Sequence, residues 1–84
     1  MINVLPLNKG LIKKIKKYNI EKKFLKQLNL LKNNPHHPSL KVKLLEPKEY
    51  GIYSFRIDKK FRALFIFRRE ERAIEIINIT VHYK

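Results

Sequence analysis

The chain contains no cysteine, which removes disulfides, thiolate metal sites and cysteine nucleophiles together. Acidic residues are scarce: seven Asp and Glu stand against 20 Lys and Arg, a formal net charge of +13 on 10.2 kDa. No segment approaches the roughly 20 consecutive apolar residues of a membrane span. Residues 1–5 lack the basic start and long apolar stretch of a signal peptide. Gly-rich phosphate loops, internal repeats and low-complexity stretches are likewise absent. The expectation from these absences is one soluble, cytoplasmic domain over residues 1–84, with no membrane association, no cofactor and no bound metal.

What is present is enough for a core. Apolar residues make up 44% of the chain, including five Phe and four Tyr, and at this size a domain buries about 60% of its unfolded surface. The charge excess exceeds what solubility needs and implies a polyanionic or acidic partner with salt-dependent attraction. Residues 1–40 carry lysine only, whereas all five arginines, Arg56, Arg62, Arg68, Arg69 and Arg72, lie in the second half. Lysine is a point charge and arginine a planar fork, so the lysines suit general attraction and the arginines local recognition.

The organising stretch runs from Gly51 to Phe67. Apolar and polar residues alternate through Ile52–Ile57 and Phe61–Phe67, the period of two that marks strands, and Asp58-Lys59-Lys60 supplies the break. A turn centred on Lys59 sets Arg56 directly across from Arg62. Like charges opposite each other cost about 0.2–1 kcal/mol, and an anion held between two guanidinium groups would offset that cost. Tyr53, Phe55, Ile57, Phe61, Ala63, Phe65 and Phe67 form the opposite, apolar face.

Ahead of this hairpin, Ile2–Leu5 reads as an edge strand ended by Pro6. Asn8 is placed to cap a helix with Leu11, Ile15 and Tyr18 on one side and lysines outside. Asn19 is the expected cap of a second helix, Ile20 to about Lys32, striped by Ile20, Phe24, Leu28 and Leu31 and stopped by Asn33-Asn34-Pro35. The neighbouring His36-His37, with no cysteine and no nearby carboxylate, is weak ground for a metal site. Leu40–Leu45 alternates as a strand with Lys41 and Lys43 on one side and Val42 and Leu44 on the other, and Glu46 projects near its end. After the hairpin comes a charged turn, residues 69–72, and then a β-branched strand, Ala73–Thr80. With almost no polar side, that strand reads as buried on both faces and central in the sheet. It leads into His82 and Tyr83. An imidazole beside arginines has a lowered pKa and suits a base.

The order of elements, together with Asn34-Pro35-His36-His37-Pro38-Ser39-Leu40, Ser54-Phe55-Arg56-Ile57 followed by Arg62, and the His82-Tyr83 end, resembles the RelE/ParE superfamily of toxins from toxin–antitoxin systems. The resemblance implies an α+β fold of the microbial-ribonuclease-like RelE type: an N-terminal strand and a helical hairpin on one face of a mainly antiparallel sheet of about four to five strands. It also implies a metal-independent endoribonuclease, a RelE/YoeB/YafQ-like mRNA interferase. Such an enzyme cuts mRNA, in many members on the ribosome, by 2′-hydroxyl attack on the phosphate. By the same resemblance Arg56 and Arg62 hold the scissile phosphate, and His82 with Tyr83 carries acid–base chemistry. Lys41 and Lys43 bind phosphate, and Glu46 is a further acid or base. The implied partners are mRNA and an acidic antitoxin that is partly disordered when free. A ParE branch that inhibits DNA gyrase without nuclease chemistry is the alternative activity, and a nucleic-acid-binding module without catalysis is a third.

Overall fold

The structure is a computed structural model and describes residues 2–81. The chain begins with a short strand, β1 (Asn3–Val4), followed by α1 (Lys9–Lys17) and α2 (Glu21–Asn33). A 3-10 turn at Pro38–Leu40 leads to β2 (Lys43–Leu44), and a second, Lys48–Tyr50, leads to β3 (Tyr53–Arg56), β4 (Phe61–Arg68) and β5 (Ala73–Val81). The five strands form one sheet in the order β1-β5-β4-β3-β2. Only the β1–β5 pair is parallel; the other neighbours are antiparallel. Both helices lie on one face of this sheet, giving the two-layer α+β arrangement expected from the sequence.

Local chemistry explains the helical hairpin. Asn8 caps α1 through its side-chain oxygen, which accepts from the Leu11 amide at 2.8 Å, filling one of the unmatched donors of the first turn. Asn19 does not cap α2 as the sequence suggested. Its backbone is left-handed (φ 56°), a conformation that asparagine tolerates well, so it reverses the chain while Ile20 takes the capping position without a side-chain bond. Ile20, Phe24 and Leu31 are buried, as the stripe required. They meet Phe55, Ile57, Phe61, Ala63 and Phe65 of the sheet in one core, together with Leu11, Ile15, Leu40, Ile74, Ile76 and Ile79. Tyr18 stacks on Phe61 at 4.7 Å between ring centroids.

Three strand expectations change. The stretch from Leu40 to Leu45 contributes only Lys43 and Leu44 to the sheet, because Leu40 closes the 3-10 turn as a fully buried residue and Lys41 is left-handed (φ 46°). Lys41 therefore does not alternate with Lys43. The β5 strand is interior, between β1 and β4, but β4 is the middle strand. Nor is β5 buried on both faces: Leu64 pairs with Asn78 and Phe65 with Ile76, so Ile77 is the extra residue of a bulge and Asn78 reaches the surface. Finally, Phe67 is 54% exposed. It shares the parity of the core residues but lies past the cover of the helices, edge-on to Tyr53 and Phe65.

Candidate functional site

Strand parity places Ser54, Arg56, Arg62, Leu64, Ile66 and Arg68 on the sheet face away from the helices. The hairpin register is the one the sequence dictated: Arg56 is the direct partner of Arg62, and Ser54 of Leu64. On the outer sides of this pair, Lys43 lies opposite Ser54 and Thr80 opposite Arg62. Two arginines, a lysine, a serine and a threonine thus share one patch of sheet.

The turn that sets this register is built by Asp58. Its Oδ1 accepts from the amides of Lys60 and Phe61, both at 2.8 Å, and its Oδ2 meets Lys23 Nζ of α2 at 3.2 Å. Burial alone would push this carboxyl up, but the two amides and the Lys23 ammonium outweigh it and hold its pKa below the usual value of 3.8. Arg56 is held in turn: its Nε donates to the Asp58 carbonyl at 3.2 Å, while its own carbonyl accepts from Gln27 Nε2 at 2.8 Å. Gln27 reaches the Ser39 carbonyl as well, at 3.3 Å. A buried amide on α2 therefore ties the arginine strand to the loop beside it.

Arg62 is different. Its Nε is buried and has no hydrogen-bond partner among the described residues, and the same holds for Ser54 Oγ on the same face. The ion pairs among the described residues are Lys23–Asp58 and Arg68–Glu75. Among the described residues no carboxylate forms an ion pair with Arg56 or Arg62. Buried donors without partners cost free energy, and here two of them lie on the same sheet face as two facing arginines.

No protein-family model matches the sequence, and no curated protein matches it. Solved structures do match. A YoeB/ParE toxin from Agrobacterium tumefaciens superposes with a TM-score of 0.70 at 17% identity, covering 98% of this chain and 100% of that one. The heterotetrameric YoeB-YefM toxin–antitoxin complex from Staphylococcus aureus gives 0.69 at 20% identity, over 99% of each chain. A further YoeB-YefM complex from the same organism gives 0.62 at 25% identity, again over 99% of each. The fold is that of the RelE/ParE toxins. The similarity of fold extends over 98–99% of this chain.

Within this RelE/ParE fold the sequence-derived candidates separate. Arg56, Arg62 and Lys43 come together on the open face. Lys41 ends the 3-10 turn beside β3 rather than standing on β2, and Glu46 is exposed beyond the end of β2. Neither makes a side-chain hydrogen bond to the arginines. His82 and Tyr83 lie outside the described residues; the strand before them ends at Val81, opposite Phe61. His37 is occupied locally, its Nδ1 accepting from the Ser39 amide at 3.1 Å, and no group of three metal-ligating side chains exists among the described residues. Sequence reasoning missed Gln27, Ser54 and Thr80. Gln27 had a visible signal, since it sits three residues after Phe24 and four before Leu31, squarely in the apolar stripe. A polar residue there has to find a partner inside.

Proposed function

We propose that this chain is the toxin of a toxin–antitoxin pair and that it cuts mRNA by directing a ribose 2′-hydroxyl onto the adjacent phosphate. The observation that carries the reading is the facing Arg56–Arg62 pair. Among the described residues it has no carboxylate partner and its Arg62 Nε is buried without a hydrogen bond, and it sits on the face away from the helices in a fold shared with YoeB toxins. Two planar forks on one phosphate supply charge where it develops in the pentacoordinate transition state. Lys43, one strand over, adds positive potential, and Lys41 and Glu46 stand farther out. His82 and Tyr83, directly after β5, are the acid–base groups of this reading, and the mechanism takes no metal or cofactor. Replacing His82 by Gln is expected to lower the rate by about 10²–10⁴ if it transfers the proton.

The antitoxin follows from the same reasoning. Solved YoeB chains occur with YefM, and a domain with a net charge of +13 favours an acidic segment that folds on binding. A shallow apolar groove of about 130 Å³ between α1 and α2 is lined by Leu7, Ile12, Ile15, Phe24 and Leu25. Leu25 is 60% exposed there, giving the anchors of such a segment a place to bury.

A ParE-like activity against gyrase is the second reading, favoured by the YoeB/ParE description of the Agrobacterium relative. Expression of the protein, with mRNA integrity and plasmid supercoiling followed together, separates them. Transcripts cut within minutes at normal supercoiling support the ribonuclease; intact transcripts with gyrase arrest overturn it.

A further inference from the structure

The arginine pair continues into a second basic feature. At the tip of the β3–β4 hairpin a cleft of about 380 Å³ lies between α2 and the turn, lined by Lys23, Lys26, Gln27, Arg56, Asp58 and Lys59. A neighbouring cleft shares Lys23, Asp58 and Lys59 and adds Lys60. Asp58 is the one carboxylate among these residues, and both its oxygens are engaged, by Lys23 and by the Lys60 and Phe61 amides. The carbonyl groups at the cleft are used as well: Gln27 donates to those of Arg56 and Ser39, and Arg56 to that of Asp58. Lys26 and Lys59 have no ion-pair partner among the described residues. With the Asp58 carboxylate engaged and Lys26 and Lys59 unpaired among the described residues, the cleft offers an anion free cations. Arg56 belongs to both places, so the cleft is continuous with the phosphate site.

We propose that this cleft binds a backbone phosphate of single-stranded RNA next to the phosphate held by Arg56 and Arg62, so that the strand passes around the hairpin tip toward α2. The inference rests on the ribonuclease reading above. Lysines on a flexible stem would add affinity without reading the base, which makes this a positioning subsite.

The test is anisotropy of a labelled oligouridylate, blocked by 2′-O-methyl groups, titrated with the full chain over a salt series. Wild type is compared with a Lys26→Ala/Lys59→Ala variant, with Lys13→Ala/Lys17→Ala on the outer face of α1 as an equal-charge control, and with Arg62→Ala. Each single-strand phosphate contact contributes a salt slope of about 0.7, so the cleft variant, which gives up one such contact, is expected to lose about 0.7 from the slope of log affinity against log salt. The control pair should lose less than half of that. An unchanged slope in the cleft variant, or an equal loss in the control, overturns the cleft. Binding that is indifferent to Arg62→Ala but falls with the cleft lysines supports the cleft and counts instead against the arginine site.

Discussion

The open face of the sheet carries arginines at both ends, and the two ends are handled differently. At one, Arg68 Nε meets Glu75 Oε1 at 2.6 Å, and this bond to the carboxylate raises the guanidinium pKa further. At the other, Arg62 on the same strand faces Arg56 across the hairpin, and among the described residues no carboxylate pairs with either. The same residue type on one strand and one face thus finds its counter-ion where charge serves the fold. At the hairpin end no such counter-ion is found among the described residues. A sheet tolerates one like-charge pair because the cost is about 0.2–1 kcal/mol, small against the stability of a domain.

Breaking this contrast gives its largest effect at the unneutralised end. Arg56→Ala and Arg62→Ala are each expected to reduce RNA cleavage by about 10²–10³, the loss seen when one strong transition-state donor is removed. Arg68→Ala should leave the cleavage rate unchanged in the same assay. Circular dichroism should show all three folded.

Next in size is the support beneath the pair. Gln27→Ala leaves the part-buried carbonyls of Arg56 and Ser39 without this donor, and the loss of such a hydrogen bond costs about 0.5–1.5 kcal/mol. Urea unfolding is expected to report that loss, with cleavage falling because Arg56 is no longer held. A variant that unfolds like wild type would make Gln27 incidental.

A smaller change converts one end into the other. Thr80 lies opposite Arg62, and Thr80→Glu would give Arg62 a carboxylate, as Glu75 does for Arg68. An opposite-charge cross-strand pair contributes about 0.2–1 kcal/mol. The expected result is a gain of that size in stability and a loss of up to about fivefold in cleavage, since substrate phosphate must displace the carboxylate. The smallest effect belongs to Asp58. Its folded-state pKa is depressed, so its contribution is present above the unfolded value and disappears as pH falls through the folded one. Stability differences between wild type and Asp58→Asn, followed by thermal unfolding, should therefore shrink as pH drops below 3.8.

The parts legible in the sequence were those set by short-range periodicity. Alternation fixed the parity of β3 and β4, and a three-residue turn fixed the Arg56–Arg62 register, because a one-residue slip would have exposed Phe55 and Phe65. The helical stripes were equally direct. What escaped reading depended on backbone conformation or on distant neighbours. Lys41 looked like a strand residue, but burying Leu40 required a left-handed turn there; the bulge at Ile77 arises from pairing with β4 and has no local signature. Ser54 and Thr80 became site residues only through strand order. Arg62 could be named from the sequence as one of a pair, whereas its buried, unpartnered Nε could not.

The proposed function places an anion between Arg56 and Arg62. Nitrogen-15 spectra of the arginine Nε–H groups, recorded as a 2′-O-methyl-blocked RNA dinucleotide is added to the protein, test it most directly. The resonances of Arg56 and Arg62 should shift together and saturably while that of Arg68, held by Glu75, stays in place. Equal movement of Arg68, or no movement of Arg62, would contradict the account.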